Sequence, residues 1–359
     1  MKKRIWAGVL ALALLVSLCG CGAKAAGGRE ETVSFTDSCG RTVKIPEKIT
    51  RVAPSGAVAT MILATVAPDV LAGVSATPGS TQMKYLPREF LKLPTFGQLY
   101  GAKSSINLES LIAAKPQVII DLGDKKDGMA ADLNALQRQT GIPVIFVEAD
   151  LSHMARAYRT LGRLIDGKKA RGEQLAAFVD RTMKMAEENR KKIPEGRRLS
   201  VLYGSGTTGL NTNAKGSVQA QVLDIVGAKN AVEVAEVSDR GGGNPINMEQ
   251  LYNFDPDVIL LTAGGPYGTL GTDEVWNKLK AVRSGKYYEI PGNPYNWMSN
   301  PPSMNMLLGV WWLGNLLYPD VYHYDMKAVA QEFYKLFWNY SLTDAEAAAM
   351  LANSTGKTK

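Results

Sequence analysis

Few side chains in this sequence have types and spacing suited to covalent chemistry. There are two histidines, His153 and His323, and neither lies in a spacing that pairs it with a nucleophile or with further metal ligands. No G-x-S-x-G, H-E-x-x-H or C-x-x-C pattern occurs after residue 21, so an elbow serine, a zinc helix and a dithiol are all without their signatures. Cys19 and Cys21 sit near the start and leave Cys39 alone, which cannot staple the fold and reads as structural filler. Gly204-Ser205-Gly206-Thr207-Thr208-Gly209 matches G-x-G-x-x-G, but a dinucleotide site needs a helix to begin at the glycines. Asn211 to Gly216 instead keep the chain in a loop, which predicts a flexible cleft lining. No catalytic residue, resident metal or cofactor is expected. What remains is the chemistry of noncovalent binding, carried by polar and aromatic residues on loops.

The elements that must position such residues are signalled by a repeat. Residues 106–119 read I-N-L-E-S-L-I-A-A-K-P-Q-V-I and residues 246–259 read I-N-M-E-Q-L-Y-N-F-D-P-D-V-I, 140 positions apart. In each copy Asn107 or Asn247 caps a short helix, the helix stops before Pro116 or Pro256, and an apolar run continues as a buried strand. One helix-to-strand unit built twice argues for two similar α/β lobes. Around it, Thr50 to Pro54 predicts a first core strand with a helix opening at Ser55-Gly56, and Val70 to Val74 predicts a second strand. Pro94 to Gly101 leads into the first repeat copy, and Gly141 to Val147 predicts a further strand. Between the copies Leu175, Phe178, Val179, Thr182, Met183 and Ala186 follow a helical period, so one long amphipathic helix ending near Pro194 separates the lobes. Strand Leu199 to Tyr203, a helix over 216–226 capped by Gly227, strand Val258 to Thr262 and a helix through Trp276 and Leu279 fill the second lobe. Residues 293–319 join a proline-rich aromatic loop to an apolar helix. Trp297 there is free to stack on a ligand, whereas Trp311 and Trp312 belong in the core. Thr343-x-x-Glu346 predicts a capping box for a last helix.

The 359 residues are 45% apolar and 21% charged, the balance of a globular chain with room for two medium cores. Lys and Arg number 41 against 34 Asp and Glu, and without Lys2, Lys3 and Arg4 the surplus falls to +4. That excess is mild, and with no cluster of basic and aromatic residues it gives no reason to expect nucleic acid. Lys2, Lys3 and Arg4 precede an apolar run, Ile5 to Leu18, too short to span a membrane comfortably, which is the pattern of an export signal. It ends Leu18-Cys19-Gly20-Cys21 and resembles the bacterial lipobox, with Cys21 after the small Gly20 as the diacylated residue. The expected division is a signal peptide over 1–20, a lipid-anchored linker over 21–31, an N-terminal lobe over 32–165, an inter-lobe helix over 166–193 and a C-terminal lobe over 194–359.

Taken in order, D-S-C-G-R-T-V-K-I-P, R-V-A-P-S, the two repeat copies, V-L-D-I-V-G-A-K-N-A-V and D-M-K-A-V-A-Q-E-F-Y resemble the bacterial substrate-binding lipoproteins of importers for iron chelates, haem and cobalamin. The resemblance spans roughly Val33 to Leu351. It implies an α/β fold of two Rossmann-like lobes with central sheets, joined by a single long helix, with a ligand cleft between them and little hinge motion. It also implies an extracytoplasmic receptor, monomeric and tethered to the membrane, whose partners are an ABC permease and its ATPase. One Glu of each lobe would dock on the permease, and Glu109 and Glu249 match those positions. No liganding motif carries over, so Ser55, Gln98, Tyr100, Tyr203, Ser205, Arg240, Trp297 and Asn300 are candidates because they are polar or aromatic residues on predicted cleft loops. Arg240 is expected to meet negative charge on the ligand. A ferric siderophore-like chelate is the expected cargo. The N-W-M-S-N-P-P-S-M-N segment also resembles a branch taking molybdate or tungstate, and cobalamin, haem and a surface-anchored α/β enzyme stay as alternatives.

Overall fold

The computed structural model describes residues 31–101, 104–238, 243–299 and 301–355. The export signal, Cys21, Arg240 and Asn300 lie outside the described residues. The chain begins with an antiparallel hairpin, β1 (Thr32–Thr36) and β2 (Thr42–Pro46). Its turn, drawn from D-S-C-G-R, docks on the edge of the first sheet. The buried Asp37 carboxylate accepts from Arg41 Nη2 at 2.8 Å and from the Phe146 N–H at 3.3 Å, while Ser38 N–H donates to the Phe146 carbonyl. One ion pair thus closes the turn and covers an exposed strand edge.

The first sheet is parallel, in the order β3 (Val52–Pro54), β6 (Val118–Gly123), β7 (Val144–Glu148). Helix α1 (Ala57–Val66) follows β3, and a turn of helix, α2 (Ser80–Met83), lies in the long connection to the small β4 (Gly97–Gln98) and β5 (Ser105–Ile106) ladder. The expected strand over Val70 to Val74 does not form. Leu71 and Val74 make single bridges to Val52 and Thr95, because a 3-10 turn at Pro68–Val70 and the Gly73 contact with Phe96 take up that stretch. The first repeat copy supplies α3 (Leu108–Ala113), whose cap Asn107 accepts from Ser110 N–H at 2.9 Å.

After α4 (Met129–Thr140) and β7 come α5 (Met154–Leu164) and the long helix α6 (Lys169–Arg190). Gly172 of α6 sits against the Tyr158 carbonyl and Gly162 of α5, where an added Cβ would lie 2.5 Å from that carbonyl oxygen. The two backbones therefore touch. Beyond α6 the second sheet runs β11 (Asn244–Pro245), β9 (Asn211–Thr212), β8 (Ser200–Ser205), β12 (Val258–Leu261), β13 (Tyr287–Glu289), with β10 (Lys229–Asn230) also on β8. Its helices are α7 (Gln221–Val226), α8 (Met248–Phe254) and α9 (Lys280–Arg283), and the 276–279 region is a 3-10 turn ahead of α9 rather than one helix. In the second repeat copy Asn247 and Gln250 form a reciprocal capping box, and Lys115 and Asp255, each just before its proline, both take positive φ. The chain closes with α10 (Asn305–Leu317), α11 (Met326–Trp338) and α12 (Asp344–Leu351), the last capped by Thr343 and Glu346 as the motif predicts.

The glycines of 204–209 serve a turn. Gly206 and Gly209 have φ of +76° and +70°, and the loop returns β8 into the antiparallel β9, so no helix starts there. Removing one partner of a buried ion pair leaves the other uncompensated, at a cost of about 3–5 kcal/mol. Asp37→Ala is accordingly expected to lower unfolding stability in urea by about 3 kcal/mol, with the Arg41→Ala, Asp37→Ala double variant losing less than the sum of the two.

Candidate functional site

Parallel α/β sheets bind ligands beyond the C-terminal ends of their strands. In the first sheet that edge carries Ser55 after β3 and Asp121 near the end of β6. The Ser55 hydroxyl donates to Asp121 Oδ1, both groups are buried, and no described residue bonds Asp121 Oδ2. They line a small cavity of about 70 Å³ with Gly56, Tyr100 and Lys126. Gly56 is the N-cap of α1 and has no side chain to satisfy the first helical N–H groups, and Ala57, Val58 and Ala59 of that first turn line this space. Lys126 Nζ lies 5.6 Å from the Tyr100 ring centre and 2.9 Å from Asp124 Oδ1. Burial raises the Asp121 carboxyl to about 6, against the pull of the Ser55 hydrogen bond, the Lys126 charge and the adjoining Leu122 N–H.

A second cavity, of about 200 Å³, continues from Ala57 between the halves of the chain. Thr60, Ser75, Thr77 and Gln82 supply polar lining from the first half, and Tyr295 and Pro301 from the proline-rich loop close it from the second. The Asn293–Pro294 peptide in that loop is cis. Burial pushes the Tyr295 hydroxyl up to about 12.

Of the candidates from sequence, Ser55, Gln98 and Tyr100 come together. Gln98 on β4 packs against Gly56, where an added Cβ would meet its own Cβ at 3.3 Å. Three candidates take other roles. Trp297 is 1% exposed and lies in the main core, with its carbonyl against Gly309 of α10, so it is no stacking wall. Tyr203 is fully buried because β8 runs on to Ser205 and leaves it mid-strand. Ser205 Oγ donates to the Asn211 carbonyl at 2.8 Å and holds the hairpin. Trp311 and Trp312 are core residues as expected, with Trp311 Nε1 donating to Thr182 of α6 at 2.9 Å. Glu109 and Glu249 are exposed in the first turns of α3 and α8.

Asp121 escaped the sequence reading although a signal was present. At the spacing of the repeat, Val118, Ile119 and Ile120 correspond to Val258, Ile259 and Leu260, and then Asp121 corresponds to Leu261. An acid replaces an apolar residue inside one copy of a buried strand. The His153 ring lies 3.0 Å from Asp150 and 3.7 Å from Glu148. Asp150 there caps the turn by accepting from the N–H groups of Ser152 and His153.

With this geometry in view, the similarities are specific. Residues 52–294 match the periplasmic binding protein family model, and the chain belongs to that family, in the class of substrate-binding components of ABC importers. It is 25% identical to the uncharacterized ABC transporter substrate-binding lipoprotein YvrC of Bacillus subtilis, over 90% of this chain and 99% of that one. It is 24% identical to the molybdate-binding protein MolA of Haemophilus influenzae, over 88% and 93%. Among solved structures, an ABC transporter solute binding protein from Sulfurospirillum deleyianum superposes with a TM-score of 0.81 at 29% identity, covering 89% of this chain and 99% of that one.

A carboxyl whose folded pKa is raised binds its proton more tightly when folded, so its ionisation costs stability. The cost is absent below the ordinary aspartate value, grows between pH 4 and 6, and is full above that range. Asp121→Asn keeps the acceptor for Ser55 and removes the charge. It is expected to unfold about 1–3 kcal/mol later than the parent near pH 8, with the two converging near pH 4 in urea titrations.

Proposed function

We propose that this protein is the extracytoplasmic receptor of an ABC importer that captures a compact, oxygen-rich ferric chelate and presents it to a permease. The observation that carries the chelate reading is the inter-lobe cavity, about 200 Å³, in which Thr60, Ser75, Thr77, Gln82 and Tyr295 stand among Met61, Leu86, Phe90 and smaller apolar residues. Pockets for drug-sized ligands run to about 300–1,000 Å³, and haem or cobalamin needs a wide apolar wall on which to lie. Trp297, which would have supplied such a wall, is inside the core. A small hydroxycarboxylate complex of iron fits the size of this cavity and can hydrogen-bond to its hydroxyls and amide. Molybdate or tungstate is the second reading, favoured by the likeness to MolA over 93% of that protein's length. Titration of the mature, unlipidated protein followed by tryptophan fluorescence should give saturable binding of ferric citrate at least about tenfold tighter than of haem or cobalamin. A response to molybdate alone would transfer the assignment to the oxyanion, and a response to haem alone would end the compact-ligand reading.

The permease-facing surface is assigned to the two repeat copies. Glu109 and Glu249 occupy equivalent first turns, each behind an asparagine cap, and both are exposed without an ion pair among the described residues. A first-turn acid also interacts with its own helix dipole for about 0.3–1 kcal/mol, which alone would suffice to retain it. What favours docking is that both copies keep the acid while Lys115 and Asp255, later in the same unit, differ. Cys21 would carry the lipid and 22–30 the tether, holding a monomeric receptor at the membrane surface, in keeping with the lipoprotein class of YvrC. Glu109→Arg combined with Glu249→Arg is expected to leave ligand affinity within about twofold and to abolish uptake in cells. Undiminished uptake by the double variant would remove the docking assignment.

A further inference from the structure

The small cavity beside the main one contains a requirement that the compact-anion reading does not by itself explain. Three kinds of donor border the cavity: the first turn of α1, which has no side-chain cap, the Lys126 ammonium and the Tyr100 hydroxyl, which is buried near Asp132 with no aligned partner among the described residues. Together they favour negatively charged oxygen. Asp121 opposes that preference. Its Oδ1 is taken by Ser55, while Oδ2 is buried at the cavity that Asp121 lines and has no aligned hydrogen-bond donor among the described residues, the Leu122 N–H acting on the carboxyl only from its own strand. A buried acceptor left unmade is costly, and a carboxylate can be satisfied only by a donor.

We propose that Asp121, held by Ser55 at the first turn of α1, selects ligands in which an oxygen bearing a proton stands beside charged oxygens. The donor set takes the charged oxygens and Asp121 Oδ2 accepts from the protonated one. A ferric hydroxycarboxylate offers this through a hydroxyl or an iron-bound water, and hydrogen phosphate offers it in miniature. Sulfate and molybdate, fully deprotonated at neutral pH, offer only acceptors and meet the carboxylate as like charge. They become acceptable when Asp121 itself carries the proton and donates.

The groups facing Asp121 leave this balance to the carboxyl. Ser55 from the end of β3 donates to it; Lys126 and Asp124 from the β6–α4 connection pair with each other; Cys39 from the hairpin turn and Tyr100 ahead of β5 feel its charge. Asp132 of α4 acts on Tyr100 rather than on Asp121. Burial holds the Asp121 proton into the mildly acidic range, where an oxyanion could use it.

The inference rests on the receptor reading, and its test separates the two. The mature protein and Asp121→Asn are titrated calorimetrically with phosphate, sulfate, molybdate and ferric citrate near pH 5 and pH 8. The parent at pH 8 is expected to prefer phosphate over sulfate by at least about tenfold, and to bind molybdate at least about tenfold more tightly at pH 5 than at pH 8. Asp121→Asn should erase both the preference and the pH dependence. Ferric citrate binding that ignores pH and the substitution would overturn the subsite while leaving the receptor reading intact. Selectivity for phosphate without ferric citrate binding would keep the subsite and overturn the chelate. No binding of any of the four would overturn both. Should Asp121→Asn fail to fold, the parent's phosphate-to-sulfate ratio decides alone, and a ratio near one overturns the proposal.

Discussion

The long helix α6 is the constraint on which the arrangement of this molecule depends. At 22 residues it is a rod of about 33 Å, and buried residues recur along it from Gly172 to Asn189. Its N-terminal half lies on α5, backbone to backbone at Gly162 and Gly172, and its C-terminal half carries α7 and α10 of the second lobe. A rod packed this closely at both ends does not bend easily, so the strand ends of the two sheets keep their separation. The C-terminal helices reinforce it by crossing back: Phe337 of α11 meets Phe178 of α6 edge to face at 5.5 Å and Tyr158 of α5 at 6.0 Å, and Tyr334 meets Tyr85 at 5.3 Å. The hinge between lobes is thereby braced, in keeping with the limited closure that the family resemblance implies.

A rigid frame changes how a ligand must be recognised. With little closure available, selectivity has to reside in groups already in place, and a preorganised cleft spends little on ordering when it binds. The first lobe concentrates such groups around α1. Gly56 permits the close approach of Gln98 and leaves the helix start uncapped, and Ser55 and Asp121 meet just beneath it. The second lobe contributes a loop whose aromatic residues mostly turn inward, leaving Tyr295 and Pro301 at the cavity. The two lobes are alike in fold and unlike in what they offer the ligand, and one equivalent strand position carries Asp121 in the first and Leu261 in the second.

The repeat, the long helix, the capping boxes and the strand of each copy were legible in the sequence because they depend on local signals: periodicity, asparagine caps and proline stops. The strand expected at Val70 to Val74 failed because a proline turn and the tight Gly73–Phe96 approach outweigh β propensity there. The binding residues were legible only in the first lobe, where Ser55, Gln98 and Tyr100 fall on loops that do reach the cavity. In the second lobe Tyr203 and Trp297 look identical, as sequence, to residues that face a ligand. An aromatic residue next to a loop can turn either way, and what decides is the volume left by distant neighbours such as Gly309.

Read from residue types and their order, the fold is built twice around one amphipathic spacer, and an acid recurs at one position of each copy. These follow from residue spacing, which the chain carries wherever it folds. Packing in three dimensions set the rest: α5 and α6 touch through a glycine pair, the proline-rich loop turns Trp297 inward against Gly309, and Asp121 meets Ser55 at an uncapped helix start. Those pairings join residues 10, 12 and 66 positions apart. Whether an acid within a strand faces a cavity or a core depends on what the folded lobe packs around it, here Ser55 and the start of α1.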